Sequence, residues 1–205
     1  MNEPTIPTQV DVNPMPRLGQ ARVVLYFALL GAGSGAIATA LVFAVPGSWE
    51  FEAAPRLILS PASLTPGLVF GVIIGLALSL RRLASPLAYA GYILASTLSY
   101  LAAFLLASEV LLEHVDQIVV IGLIAGLFGS ACLTGYSALR FVFLRRWVPC
   151  LLMLIAGCLL GGLLPMAVKT EGIFPAMAFF ALWQAGYAAA LATGLPERTG
   201  GAASG

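Results

Sequence analysis

The chain reads as all-α: a polytopic integral membrane protein, a bundle of about six transmembrane helices with both termini inside. Three observations predict this. First, six uncharged apolar stretches run between Val23 and Pro196, and the charges fall almost entirely between them. Each stretch reaches the roughly 20 residues a helix needs to cross about 30 Å of hydrocarbon. Second, 60% of the residues are hydrophobic, only 9% are charged and the mean hydropathy is +0.98. A soluble globule of this size needs a more highly charged exterior. Third, the basic residues fall mostly in alternate gaps. Backbone groups in lipid must be bonded within helices or a closed barrel. Continuous apolar runs without period-two alternation select helices.

The stretches are Val23–Trp49, Leu57–Leu80, Leu83–Ser108, Gln117–Leu139, Trp147–Val168 and Gly172–Pro196. With the N-terminus in the cytoplasm, the inside segments hold Arg17, Arg22, Arg81, Arg82, Arg140, Arg145, Arg146 and Arg198, and the outside segments only Arg56 and Lys169. Eight against two is a positive-inside bias, and the loops are short enough for it to govern orientation. Glu50, Glu52, Glu109, Glu113, Asp116 and Glu171 fall outside but carry little topological weight. The expected location is the cytoplasmic (inner) membrane of a bacterium.

Residues 1–21 hold Pro4, Pro7, Pro14 and Pro16 and little hydrophobicity, so they read as a flexible cytoplasmic arm. They lack the apolar core of a cleavable signal, and the first span is expected to act as an uncleaved signal-anchor. Residues 22–196 form the transmembrane domain, and residues 197–205 a flexible cytoplasmic tail. Neither end has room for a soluble catalytic domain. Cys132, Cys150 and Cys158 lie inside spans, with neither zinc spacing nor a disulfide framework. They read as small packing residues.

The second stretch is the least regular, because Pro61 and Pro66 interrupt it. Thr65–Pro66 predicts an N-cap followed by Pro at the first helical position. A helix from Pro66 to Arg82 covers about 25 Å, which leaves Leu57–Leu64 as an interfacial or re-entrant piece. Arg81–Arg82 and Arg145–Arg146–Trp147 form basic turns at the inner surface, suited to topological anchoring and to anionic headgroups.

No Asp, Glu, Lys, Arg or His falls within any span. Proton-coupled pumps and voltage sensors place ionisable groups there, so a proton relay is disfavoured. The polar residues inside are mild. Ser96, Thr97, Ser99 and Tyr100 sit in the third stretch, Ser130, Thr134, Tyr136 and Ser137 in the fourth, and Gln184 and Tyr187 in the sixth. They serve as packing contacts or, taking Ser96, Ser99, Tyr100, Ser130, Thr134 and Gln184 together, as a solute path.

The outer connection after the third stretch carries Glu109, Glu113, His114 and Asp116. On a helix these carboxylates share a face, and with the single histidine they make a candidate metal or acid–base set. One histidine is too few for a zinc or di-iron signature, and a solvated acidic loop is the plainer expectation. No nucleophile elbow, phosphate loop or metalloprotease motif is present, and no cofactor is implied.

Small residues give the most consistent internal pattern. Gly67, Gly71 and Gly75 recur at four-residue spacing in the second stretch, Gly122 and Gly126 in the fourth, and Gly157 and Gly161 in the fifth. Such ladders let helix backbones approach closely. The leading functional expectation is therefore a non-enzymatic accessory, scaffold or assembly subunit. Its partners would be the lipid bilayer and other membrane-protein subunits or itself, with no nucleic acid. The alternative is a small transporter or channel for a neutral or lipid-like solute. An intramembrane enzyme ranks third, resting on the acidic connection alone.

The basic bias generates a topology test. Reporters active only outside should be silent when fused at Arg17, Arg82 or Arg198, and active at Ala53 and Glu113. An active fusion at the C-terminal end would sink the six-span, both-ends-inside arrangement.

Overall fold

The structure is a computed structural model, and it describes residues 18–45, 61–169 and 172–196. The described residues are helical throughout, joined by short turns. The principal helices are α1 (Leu18–Phe43), α2 (Pro61–Leu80), α3 (Pro86–Leu105), α5 (Ile118–Arg140), α6 (Trp147–Gly161) and α8 (Ile173–Ala192). A π-helical turn, Leu106–Leu111, and the short α4 (Leu112–His114) prolong α3, and α7 (Leu164–Val168) follows α6. Five helices are long and apolar enough to cross a membrane. Together they make a helical membrane bundle.

The fifth apolar stretch is broken. α6 has 15 residues, about 22 Å at 1.5 Å per residue, which is short of the hydrocarbon core. Gly161 and Gly162 end it, and Pro165 opens α7 within its first two positions. Proline has no N–H to give the preceding turn, so the run from Trp147 to Val168 bends rather than continuing straight.

Three other expectations need correction. α1 begins at Leu18, so the last residues assigned to the arm are helical. Gln20 explains the extension: its Nε2 donates to the Ala192 carbonyl at 3.0 Å and to that of Thr193 at 3.3 Å. It thereby caps the C-terminus of α8. Thr65 is not an N-cap, because α2 starts at Pro61 and carries Pro66 inside it. Pro61 has the fixed φ that suits a helix start, and Pro66 sits near that end, where one missing bond costs least. The re-entrant candidate thus loses residues 61–64 to α2, while residues 57–60 lie outside the described residues. The third helix starts later than Leu83. Ser85 caps it by accepting from the Ala88 N–H at 3.2 Å, and Pro86 occupies the first turn.

Between α2 and α3 the chain closes a Schellman turn. The Leu83 N–H reaches the Leu78 carbonyl at 3.0 Å, and the Arg82 N–H reaches that of Ser79 at 2.8 Å. Arg82 occupies the left-handed position, φ 59°, where glycine is usual. An arginine is held here despite a cost of about 1–2 kcal/mol.

The helices form a ring in chain order. α1 packs on α2, α2 on α3, α3 on α5, α5 on α6 and α6 on α8, and α8 returns to α1. Glycines line these seams. A Cβ at Gly71 would meet the Ile93 Cα at 2.8 Å, and one at Gly67 the Ser96 carbonyl oxygen at 2.7 Å. Gly122 and Gly126 of α5 face the backbone of Gly161 and Gly157 of α6. Gly31 and Gly35 of α1 lie on the Gln184 and Phe180 backbone of α8. The outer wall carries exposed Leu25, Leu29, Leu94, Leu98 and Leu159, as a surface solvated by lipid requires.

Gly71→Leu should cost about 1–3 kcal/mol of bundle stability, comparable to overpacking a core. Leu68→Ile on the exposed side of α2, and Gly33→Leu, where a side chain meets nothing within 4 Å, should leave thermal stability in detergent unchanged. Equal melting of Gly71→Leu and the parent protein would show that this seam does not hold α2 to α3.

Candidate functional site

Four helices of the ring enclose a small cavity of about 30 Å³. α2 supplies Pro66, Gly67 and Phe70, α3 supplies Ser96, Ser99 and Tyr100, α5 supplies Gly129, Ser130 and Leu133, and α8 supplies Trp183, Gln184 and Tyr187. One water needs roughly 10–15 Å³ on this measure, so the space suits one or two waters or a solute of a few heavy atoms. Five of the six residues expected on a solute path line it: Ser96, Ser99, Tyr100, Ser130 and Gln184. Thr134 does not. It sits one turn further along α5 and pairs with the Tyr187 hydroxyl at 3.1 Å.

The polar wall is built from bonds between helices. Ser96 Oγ donates to the Gly67 carbonyl at 2.7 Å, across the α2–α3 seam. Gln184, 2% exposed, joins three helices. Its Nε2 donates to the Pro66 carbonyl at 3.1 Å, and its Oε1 accepts from Ser34 Oγ at 2.5 Å. Ser34 also lies 2.8 Å from the Gly31 carbonyl. A buried amide is costly in lipid without partners, and here both ends of the Gln184 amide have one.

Two lining residues carry polar atoms that lack partners. Ser130 Oγ and Trp183 Nε1 are buried and unbonded. Ser130 Oγ lies against Gly157, in the space a Cβ there would fill. An unmet donor in an apolar interior costs about 1–3 kcal/mol, and Ser130 carries that cost in the α5–α6 seam rather than at the cavity surface.

A second pocket, about 90 Å³, adjoins the first toward the end of the bundle where α3 finishes and α5 begins. Tyr100 and Trp183 line both, and Ala103, Ala107, Gly122 and Leu164 continue the outer one. The Tyr100 ring stands 6.0 Å from those of Trp183 and Phe180, and Trp183 stacks on Phe179 at 6.4 Å. Ala107 belongs to the π-helical turn, a distortion that recurs at functional sites.

The acidic set is not assembled into a site. Glu109, Glu113 and His114 lie on the helical extension of α3 instead of a loop, and all four residues, with Asp116, are exposed. His114 Nδ1 lies 2.8 Å from the Val110 carbonyl of its own helix. Among the described residues, no three His, Cys, Asp or Glu converge as metal ligands. The three cysteines are free thiols.

Sequence reasoning missed Trp183 and Ser34. Trp183 had a signal: Trp49 and Trp147 stand at the ends of apolar stretches, and Trp183 alone stands within one. Ser34 had none, since nothing local marks a hydroxyl that meets an amide 150 residues away.

Comparison with known proteins finds no matching family model, no matching curated protein and no matching solved structure. The fold therefore defines the class by itself: an integral membrane protein built as a helical bundle.

Gln184→Leu keeps the volume and removes both interhelical bonds. At an average of about 0.6 kcal/mol each in a membrane protein, the expected loss is about 1 kcal/mol of stability. Ser34→Ala should lose about half of that. Thermal unfolding in mild detergent reads both, and an unchanged midpoint for Gln184→Leu would show that the three-helix clasp adds nothing.

Proposed function

We propose that the bundle binds or passes a small uncharged solute through its centre. In this reading the chain crosses a bacterial cytoplasmic membrane six times, the bent α6–α7 run counting as the fifth crossing. Both ends and the arginine-rich turns lie in the cytoplasm. One observation carries the reading: residues bearing hydroxyl, amide or indole groups from three separate helices, α3, α5 and α8, line one cavity that Pro66, Gly67 and Phe70 of α2 close. The wall that meets the cavity is almost entirely apolar and carries no charge, which suits a small neutral molecule and offers nothing to hold an ion. The outer pocket is the entry, and Tyr100 with Trp183 forms the narrow step between the two. No reaction is assigned to the site, and the reading is non-enzymatic.

A second reading is an accessory or scaffold subunit packing through small-residue helix faces. The Gly67–Gly71–Gly75, Gly122–Gly126 and Gly157–Gly161 ladders give it less support than their spacing suggests, because each faces a helix of the same chain. What favours it is the exposed stripe of Ala131, Cys132 and Gly135 on α5. No neighbour lies within 4 Å of a Cβ at Gly135, so another backbone can approach there.

The purified protein reconstituted in liposomes tests the first reading. Stopped-flow light scattering should show faster entry of water, urea or glycerol than into protein-free vesicles. Ser99→Leu, which fills the cavity, should lower that rate at least to a fifth, and Gly33→Leu on the outer wall should not. Rates equal to those of empty vesicles for all three solutes would overturn the solute reading and leave the subunit reading in place.

A further inference from the structure

At the basic end of the bundle a cleft of about 420 Å³ opens between α1 and α2, away from the central cavity. Arg22, Val23 and Tyr26 of α1 line one side, with Ala77, Leu80 and Arg81 on the other. Arg81 does not extend freely into water. Its guanidinium carbon lies 5.9 Å from the centre of the Phe27 ring, and Phe27 is fully buried. Its Nη1 is buried and has no hydrogen-bond partner. The acidic side chains among the described residues, Glu109, Glu113 and Asp116, all sit at the opposite end. A guanidinium drawn partly out of water without an anion is costly, and nothing described in the chain supplies that anion.

The cleft supplies the matching features. Two guanidiniums, Arg22 on α1 and Arg81 just after α2, present several N–H donors, and that planar fork suits phosphate oxygens. Tyr26 is half exposed beside them, the place an aromatic with a hydroxyl takes at the headgroup level. Val23, Ala77 and Leu80 make an apolar floor. One turn further from the basic end, exposed Leu29 and Leu76 extend that floor along both helices, which is the track an acyl chain would follow.

We propose that this cleft is a binding site for an anionic phosphate ester, gripped by Arg22 and Arg81. The chemistry is shared by the headgroup of an anionic phospholipid and by a soluble phosphate, and the test separates them. The whole protein is measured in phosphatidylcholine nanodiscs with and without phosphatidylglycerol, and in neutral detergent with inorganic phosphate. Phosphatidylglycerol should raise the melting temperature of the parent protein. Because charge-assisted hydrogen bonds are the strong ones, Arg22→Gln with Arg81→Gln should weaken phosphatidylglycerol retention in native mass spectrometry roughly tenfold or more. Arg145→Gln with Arg146→Gln removes the same charge from the same end, outside the cleft, and should retain it. If Arg81→Gln does not fold, Arg22→Gln alone reads the same loss, because that side chain is exposed. A stabilisation by inorganic phosphate that Arg22→Gln abolishes would support the site and assign it to a soluble ligand. Equal losses in the two double variants would reduce the effect to general surface charge and overturn the proposal, as would a parent protein that responds to neither ligand.

Discussion

Everything in this bundle depends on how closely helix backbones can approach. Between helices in lipid there is no hydrophobic drive, because the tails outside are as apolar as the side chains inside. Attraction must come from broad van der Waals contact, and contact of that kind needs missing side chains. The α1–α8 seam is the decisive case. Gly31 and Gly35 sit directly on the Gln184 and Phe180 backbone, and this seam joins the first helix to the last. Without it the chain would be an open row of helices. With it the ring closes, and Ser34, between the two glycines, comes within reach of Gln184.

Ring closure sorts the polar groups into two kinds. Some hydroxyls bond back to their own helix: Thr39 to Gly35, Thr97 to Ile93 and Ser137 to Leu133. Those add little between helices and can occur anywhere along a span. Others cross seams, as Ser96 does to Gly67 and Gln184 does to Pro66. The second kind gathers around one cavity, where Ser130 and Trp183 keep unmet bonding capacity. That difference, and not the number of hydroxyls, distinguishes the centre of the bundle from its seams.

The two ends differ as strongly as the centre and the wall. One end carries the arginine turns, with Arg82 held in a left-handed conformation by the Schellman bonds of the α2 terminus. That turn sends the chain directly back into α3 and leaves Arg81 tucked over Phe27. The other end carries the exposed acidic residues on the prolonged α3. Their exposure follows from chemistry, since carboxylates and the imidazole remain hydrated where the helix leaves the apolar layer.

The amino-acid order determined the helical class, the apolar stretches and the charge asymmetry, because hydropathy over some 20 residues is a local property that lipid reads directly. It also marked most of the cavity wall, since Ser96, Ser99, Tyr100, Ser130 and Gln184 are conspicuous in otherwise apolar surroundings. It did not say that they meet. Each serine or glutamine has two or more faces of its helix to choose from, and the choice is made by which glycine seam a neighbour occupies. A cap-like residue followed by proline does not by itself fix a helix start. Thr65–Pro66 has the pattern of a start, but α2 begins earlier, at Pro61. Thr134 has the same mild polarity as the lining residues, yet it stands one turn beyond the cavity and bonds to the Tyr187 hydroxyl. Ser34 became visible only when α8 lay against α1, because contacts that far apart in sequence are set by packing and leave no trace in the local order of residues.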